Sequence, residues 1–175
     1  KKLKQFICLF IIFSALQLIV SAEECHIPVD DYLVNESTVF CPGNYSLDDY
    51  YWDGIIKINA DNITITCNDT IIGPYNYFGG IGIYINTIGD NVVIDGCTLR
   101  NFDYGIYVYG EPVINNITIL NSDISSDFFF FVGIYLLNVE NSTFKNLILK
   151  NNIYGFYSEF SNYNKLMNNT MANNT

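Results

Sequence analysis

The residues able to do chemistry in this chain are few. Asp95 and Asp123 are carboxylates of the kind that general acid–base hydrolysis uses in pairs at a defined separation. Arg100 is the only arginine. Proton abstraction beside an acidic Ca²⁺ cluster would place it near Asp69 or Asp127, and a surface ion pair would place it there equally well. His26 is the only histidine and no C-x-x-C occurs, whereas copper-type centres want several His, Met or thiolate donors. No metal and no cofactor follows from this set. The recurrent candidates are aromatic: Tyr84, Tyr107, Tyr135 and Tyr157, each two residues after a glycine.

The elements that must position these tyrosines are written into a repeat. Gly82-Ile83-Tyr84-Ile85 returns as Gly105-Ile106-Tyr107-Val108, Gly133-Ile134-Tyr135-Leu136 and Gly155-Phe156-Tyr157-Ser158. Self-similarity at this period signals a solenoid. One apolar column runs Ile65, Ile94, Ile119, Phe144, Leu166, at steps of 29, 25, 25 and 22 residues. A second runs Leu99, Ile124, Leu149, Met171, and alternation inside each phrase has period two, so the coils hold short strands. An earlier coil begins at Gly54-Ile55-Ile56-Lys57-Ile58, aligned on its glycine with Gly82. The expected fold is all-β: a right-handed single-stranded parallel β-helix of about five coils over residues 54–175. Residues 23–53 form its N-terminal cap, with Trp52 sealing the junction. The chain stops in the turn column of the fifth coil, which reads as a truncated end.

With Ile83, Ile106, Ile134 and Phe156 inward, alternation sends the four tyrosines outward on one sheet. They would stack ~4.8 Å apart, as a platform for sugar rings or simply as a self-stabilising ladder. Asn121, Asn146 and Asn168 fall in one turn column. Asn101, Asn151 and Asn173 fall in another, with Ser126 in the gap. Stacked amides explain these without a ligand. The 28 residues from Gly105 to Gly133 exceed the neighbouring coils, and the excess is assigned mainly to the phenylalanine run before Val132. A second aromatic loop lies between Gly73 and Gly80 and carries Tyr75, Tyr77 and Phe78.

Residues 1–22 read as a signal peptide: Lys1, Lys2 and Lys4 precede an apolar run that ends at Val20-Ser21-Ala22. An uncleaved anchor is the alternative, and membrane contact is expected only through this segment. Cleavage leaves five basic against eighteen acidic residues, a net of −13, which repels phosphate backbones and excludes nucleic acid as a partner. It also leaves Cys25, Cys41, Cys67 and Cys97, an even number in an exported context, so disulfides are expected. Of the three pairings, Cys25–Cys41 would staple the opening segment, and Cys67–Cys97 would join adjacent coils, since Cys67 falls beside Gly96. Eight N-x-S/T sequons, at Asn35, Asn44, Asn62, Asn68, Asn116, Asn141, Asn168 and Asn173, are compatible with a glycoprotein.

Asn62-Ile63-Thr64-Ile65-Thr66-Cys67-Asn68, residues 91–102 and Tyr104-Gly105-Ile106-Tyr107 together carry a resemblance. The repeats look like the pectate-lyase-like superfamily of parallel β-helices, especially its NosD-type periplasmic and cell-surface branch. The resemblance implies fold firmly and function weakly. The superfamily includes polysaccharide lyases and hydrolases, and Asn121-Ser122-Asp123 is similar to the N-T-D of pectin-type hydrolases. The paired Asp, G-H-G and R-I-K of that family are absent. The NosD branch implies copper, for which this chain lacks the donors. The functional expectation is a secreted or cell-surface module for adhesion or carbohydrate binding. Extracellular glycans or envelope proteins are its partners, and a polysaccharide-degrading enzyme is the alternative.

Overall fold

The computed structural model describes residues 24–75, 79–86, 89–127 and 132–175. The proposed leader, Tyr77, Phe78 and the phenylalanine run 128–131 lie outside the described residues. Every described strand belongs to one of three parallel six-stranded sheets wound as a right-handed β-helix, and no helix occurs among the described residues. The first sheet holds β1 (Tyr32–Val34), β4 (Ile56–Ile58), β7 (Ile81–Asn86), β10 (Tyr104–Asn115), β13 (Val132–Glu140) and β16 (Tyr154–Glu159). The second holds β2 (Thr38–Phe40), β5 (Thr64–Cys67), β8 (Val93–Asp95), β11 (Thr118–Leu120), β14 (Thr143–Lys145) and β17 (Lys165–Met167). The third holds β3 (Gly43–Ser46), β6 (Thr70–Gly73), β9 (Thr98–Arg100), β12 (Asp123–Ser125), β15 (Ile148–Lys150) and β18 (Thr170–Ala172).

The apolar columns stack as the alternation requires. Ile65, Ile94, Ile119, Phe144 and Leu166 are level with one another on the second sheet. Leu99, Ile124, Leu149 and Met171 are level on the third. All but the last-coil members are buried, and each such side chain contributes roughly 1.5–3 kcal/mol. Residues 23–53, for which no repeat is visible in the sequence, carry β1, β2 and β3, which pair in register with β4, β5 and β6. That segment covers the first repeated coil with a turn of the same geometry. His26 bridges Phe40 outside β2, and the Cys25–Cys41 disulfide closes this edge. Cys67–Cys97 links neighbouring coils.

Two expected registers shift. Ile56, not Ile55, is level with Ile83, so the coil that opens at Gly54 is offset by one and Lys57 stands where later coils carry tyrosine. Ile55 and Ile56 are both fully buried, and alternation cannot choose between two adjacent apolar residues. The excess between Gly105 and Gly133 is shared rather than confined to the phenylalanine run. The β10–β13 register jumps from Tyr109↔Leu137 to Ile114↔Val139, so residues 110–113 bulge out of the ladder.

The corners differ in kind. The first, from first sheet to second, has Asn62, Asn91, Asn116 and Asn141 at positive φ. The Asn91 amide donates to Asn62 at 2.9 Å and the Asn116 amide to Asn91 at 3.0 Å. At the second corner, from second sheet to third, Asn146 donates to Asn121 at 2.9 Å, and both have positive φ. Asn accepts this left-handed conformation because its short amide bonds locally. Asn164, Asn169 and Asn174 of the last coil bond back to the fourth coil at all three corners, each donating to a carbonyl and accepting from an amide. At the third corner, from third sheet back to first, Asn173 donates to Asn151. Ser126 is buried there, and Asn101 bonds Asp127 instead. This corner carries the longest connections between described strands, residues 47–55 and 74–80.

Candidate functional site

The tyrosine column forms because β7, β10, β13 and β16 stack without slip over their first turns. Tyr84, Tyr107, Tyr135 and Tyr157 are level across the first sheet, following Lys57. Alternation alone would put Tyr104, three residues before Tyr107, on the other face. The intervening glycine breaks the pattern. A Cβ on Gly105 would lie 2.2 Å from Ile124 Cγ2 and 2.7 Å from the Gly133 carbonyl oxygen, so the chain bends there only because no side chain is present. The bend brings Tyr104 onto the outer face, stacked on Tyr107 at 5.3 Å. Tyr154, before Gly155, lies 5.1 Å from Tyr157 in the same way. The recurring Tyr-Gly-x-Tyr was the available signal for both.

The ladder is not a uniform stack. Tyr84 and Tyr107 stack at 5.3 Å, and so do Tyr135 and Tyr157. Tyr107 meets Tyr135 edge to face at 5.0 Å and 89°, a geometry that ring quadrupoles favour equally. The four rings are half-buried and spend much of their faces on one another. Room for another molecule opens beside them. Val132 is level with Tyr104 on one side and Tyr154 on the other, and this small residue between two aromatic ones leaves a cleft of about 250 Å³. Tyr104, Val132, Tyr135, Tyr154, Tyr157 and Glu159 line it. The Tyr135 hydroxyl donates to Glu159 Oε2 at 3.1 Å and the Tyr157 hydroxyl to Oε1 at 2.8 Å. Burial, then the Glu159 hydrogen bond, pushes the Tyr135 phenol up to about 12. The Glu159 hydrogen bond also raises Tyr157. Both phenols therefore stay donors across neutral pH.

The acid–base candidates are not gathered. Arg100 pairs with neither Asp69 nor Asp127. It makes a bidentate ion pair with Asp123, Nη1–Oδ1 and Nη2–Oδ2 each at 2.7 Å, a diagonal contact, since Arg100 is level with Ser125. Burial pushes the Asp123 carboxyl up, but hydrogen bonds from Arg100 and Ser125 outweigh it and hold the group below its ordinary value. Asp95 lies on a different sheet, level with Thr66 and Leu120, and accepts from the Asn121 amide at 2.8 Å. The two carboxylates proposed as a pair thus have separate partners on separate faces.

The long third-corner connections sit beside the tyrosine face. Asp49, 5% exposed, accepts from the amides of Asp53, Gly54 and Ile81 and so ties the first of these connections to the start of β7. Trp52 does not seal the core: it is 54% exposed, and Tyr50, Tyr51 and Tyr75 beside it in sequence or one coil on are more exposed still. The buried aromatic that does fill the first coil is Phe40.

Copper donors are dispersed. All four cysteines in the described residues are disulfide-bonded, and His26 lies at the first edge against Tyr32. Met167 and Met171 belong to different sheets. Among the described residues no group of three or more His, Cys, Asp or Glu could hold a metal ion, and these residues do not fit a copper centre. None of the described residues forms a helix long and apolar enough to cross a membrane. A sequence model of one family, described as periplasmic copper-binding protein (NosD), matches residues 31–175. No curated protein and no solved structure matches the chain.

Proposed function

The chain belongs to the NosD family of β-helix proteins, and from that premise we propose an exported cell-surface module that contacts glycans through its tyrosine face, without catalysis. The observation that carries this reading is the cleft on that face: an aromatic ridge gives way, at Val132, to a recess the size of a single sugar ring. Sites for small ligands are concave, largely apolar and aromatic, with a few placed polar groups, and Glu159 with its two phenols supplies these. Separate engagement of Asp123 by Arg100 and of Asp95 by Asn121 favours contact over cleavage. Two disulfides and the family's description as periplasmic agree with a location outside the cytoplasm. Copper is not proposed for this chain.

The test is a glycan array probed with the full chain, exported so that its disulfides form, and with a Tyr107→Ala, Tyr135→Ala double variant. The reading expects a defined set of glycans bound by the first protein and lost by the second. Equal signals from both would remove the tyrosine face as the contact surface.

A further inference from the structure

The cleft has aromatic walls and one anionic one. Glu159 ends β16, and each of its carboxylate oxygens accepts one phenolic hydrogen, from Tyr157 and from Tyr135. Two anchors fix the orientation of the group, while each oxygen keeps a second acceptor site. Among the described residues no cationic side chain pairs with Glu159; the ion pairs present are those of Lys57 and Arg100. The opposite walls are Tyr104 and Tyr154, whose strands lie on either side of β13 and hence ~10 Å apart, twice the strand spacing. Val132 forms the floor between them.

These walls select by charge. The faces of tyrosine rings are electronegative and attract a cation placed over them. A carboxylate in the same recess adds a charge-assisted acceptor for an ammonium group. The mature chain, at net −13, draws cations towards its surface and turns away uronates and phosphates. A neutral or N-acetylated sugar would fill the space yet leave the carboxylate without a charged partner. A volume of about 250 Å³ equals roughly eight waters at ~30 Å³ each, enough for one ring and not for a stretch of polymer. Tyr107 and Tyr84 continue the aromatic ridge away from the cleft for the next residues of a chain.

We infer that the cleft formed by Tyr104, Val132, Tyr135, Tyr154, Tyr157 and Glu159 is a subsite for a hexosamine with a free amine, its ammonium group held by Glu159 and its ring between the tyrosines. The inference rests on the glycan-contact reading and narrows it to cationic, de-N-acetylated glycans.

Calorimetric titration of the full exported chain tests it with a de-N-acetylated chito-oligosaccharide, its N-acetylated counterpart, a neutral cello-oligosaccharide and oligolysine. The de-N-acetylated sugar should bind at least about tenfold more tightly than the N-acetylated and neutral sugars, and more tightly than oligolysine of equal length. Glu159→Gln, which keeps an oxygen for a phenol to bond, should erase that preference while weak sugar binding survives. Tyr154→Ala, which removes an exposed wall, should weaken binding of every sugar. Equal affinity for the three sugars, or an unchanged preference in Glu159→Gln, overturns the inference and leaves glycan contact standing. Binding to oligolysine alone, or to none of the four, removes both.

Discussion

At the second corner of the solenoid the chain crosses between sheets in two residues every time, at 41–42, 68–69, 96–97, 121–122, 146–147 and 168–169. At the third corner it takes anything from residues 101–103 to residues 47–55. The constant corner turns on Gly96, Asn121, Asn146 and Asn168 at positive φ, with Asn146 bonded to Asn121. The variable corner carries Tyr50, Tyr51, Trp52 and Tyr75 in solvent and borders the tyrosine face with its cleft. Both are corners of one helix, so the winding of the coil cannot explain the difference. The inward columns do, in part. Every second-corner crossing must deliver the next strand to the core in phase, whereas the third-corner connections can run out over the surface and return.

One inserted residue separates the two corners most sharply. A glycine placed between Asn146 and Leu147 would turn Leu149 and its successors away from the core, and should cost more than ~4 kcal/mol or prevent folding. The same glycine between Tyr50 and Tyr51 should change stability by no more than ~0.5 kcal/mol. Urea unfolding followed by far-UV circular dichroism measures both. Next in size, replacing Cys67 and Cys97 by alanine opens a link across 30 residues and should lower stability by ~2–4 kcal/mol, read from the same unfolding curves.

Smaller effects sharpen the role of the asparagines. Asn146→Ala places a Cβ-bearing residue without a local amide at φ 56° and should cost ~1–2 kcal/mol. Asn146→Gly loses only the amide bond to Asn121, ~0.5–1.5 kcal/mol, and should be the milder change. If alanine proves as well tolerated as glycine, the left-handed turn is not what Asn supplies.

The faces differ also in their response to pH. Asp123 has its folded value depressed below 3.8, so its contribution is present above that pH and disappears as pH falls through the lowered value. Because the pair is partly exposed, the loss is at most ~1 kcal/mol, and Arg100→Gln should remove it. Tyr135 moves the other way, from 10.0 to about 12. Its contribution is intact below pH 10 and is lost as pH rises towards 12. Alkaline titration of tyrosinate absorbance should show late-ionising tyrosines, and Glu159→Gln should bring Tyr135 and Tyr157 back towards their ordinary value.

Much of the scaffold was legible in the sequence because its causes are local and repeated. The Ile65 and Leu99 columns are spaced by coil length, and stacking admits one register for them. The same logic paired Cys67 with Cys97. It failed where two apolar residues adjoin, as at Ile55-Ile56, and where a strand departs from period two. The bulge at residues 110–113 had a signal in Gly110-Glu111-Pro112, residue types that strands disfavour, but columns matched on their apolar members pass over it. Tyr104 and Tyr154 escaped because Gly105 and Gly155 reverse the alternation just beside them. Glu159 was legible only in part: period two puts it on the face of Tyr157 in its own coil, but its other partner, Tyr135, comes from the preceding coil. Arg100 found Asp123 across a diagonal that a search along turns did not test.

Whether core and corners hold the fold while the tyrosine cleft does the binding comes down to Tyr154→Ala. Tyr154 is 48% exposed and contributes a wall of the cleft. Affinity for the best array glycan should fall at least about tenfold, with the urea midpoint of the full chain unchanged. Unchanged affinity, or a midpoint that falls together with it, would contradict the division of labour between scaffold and site.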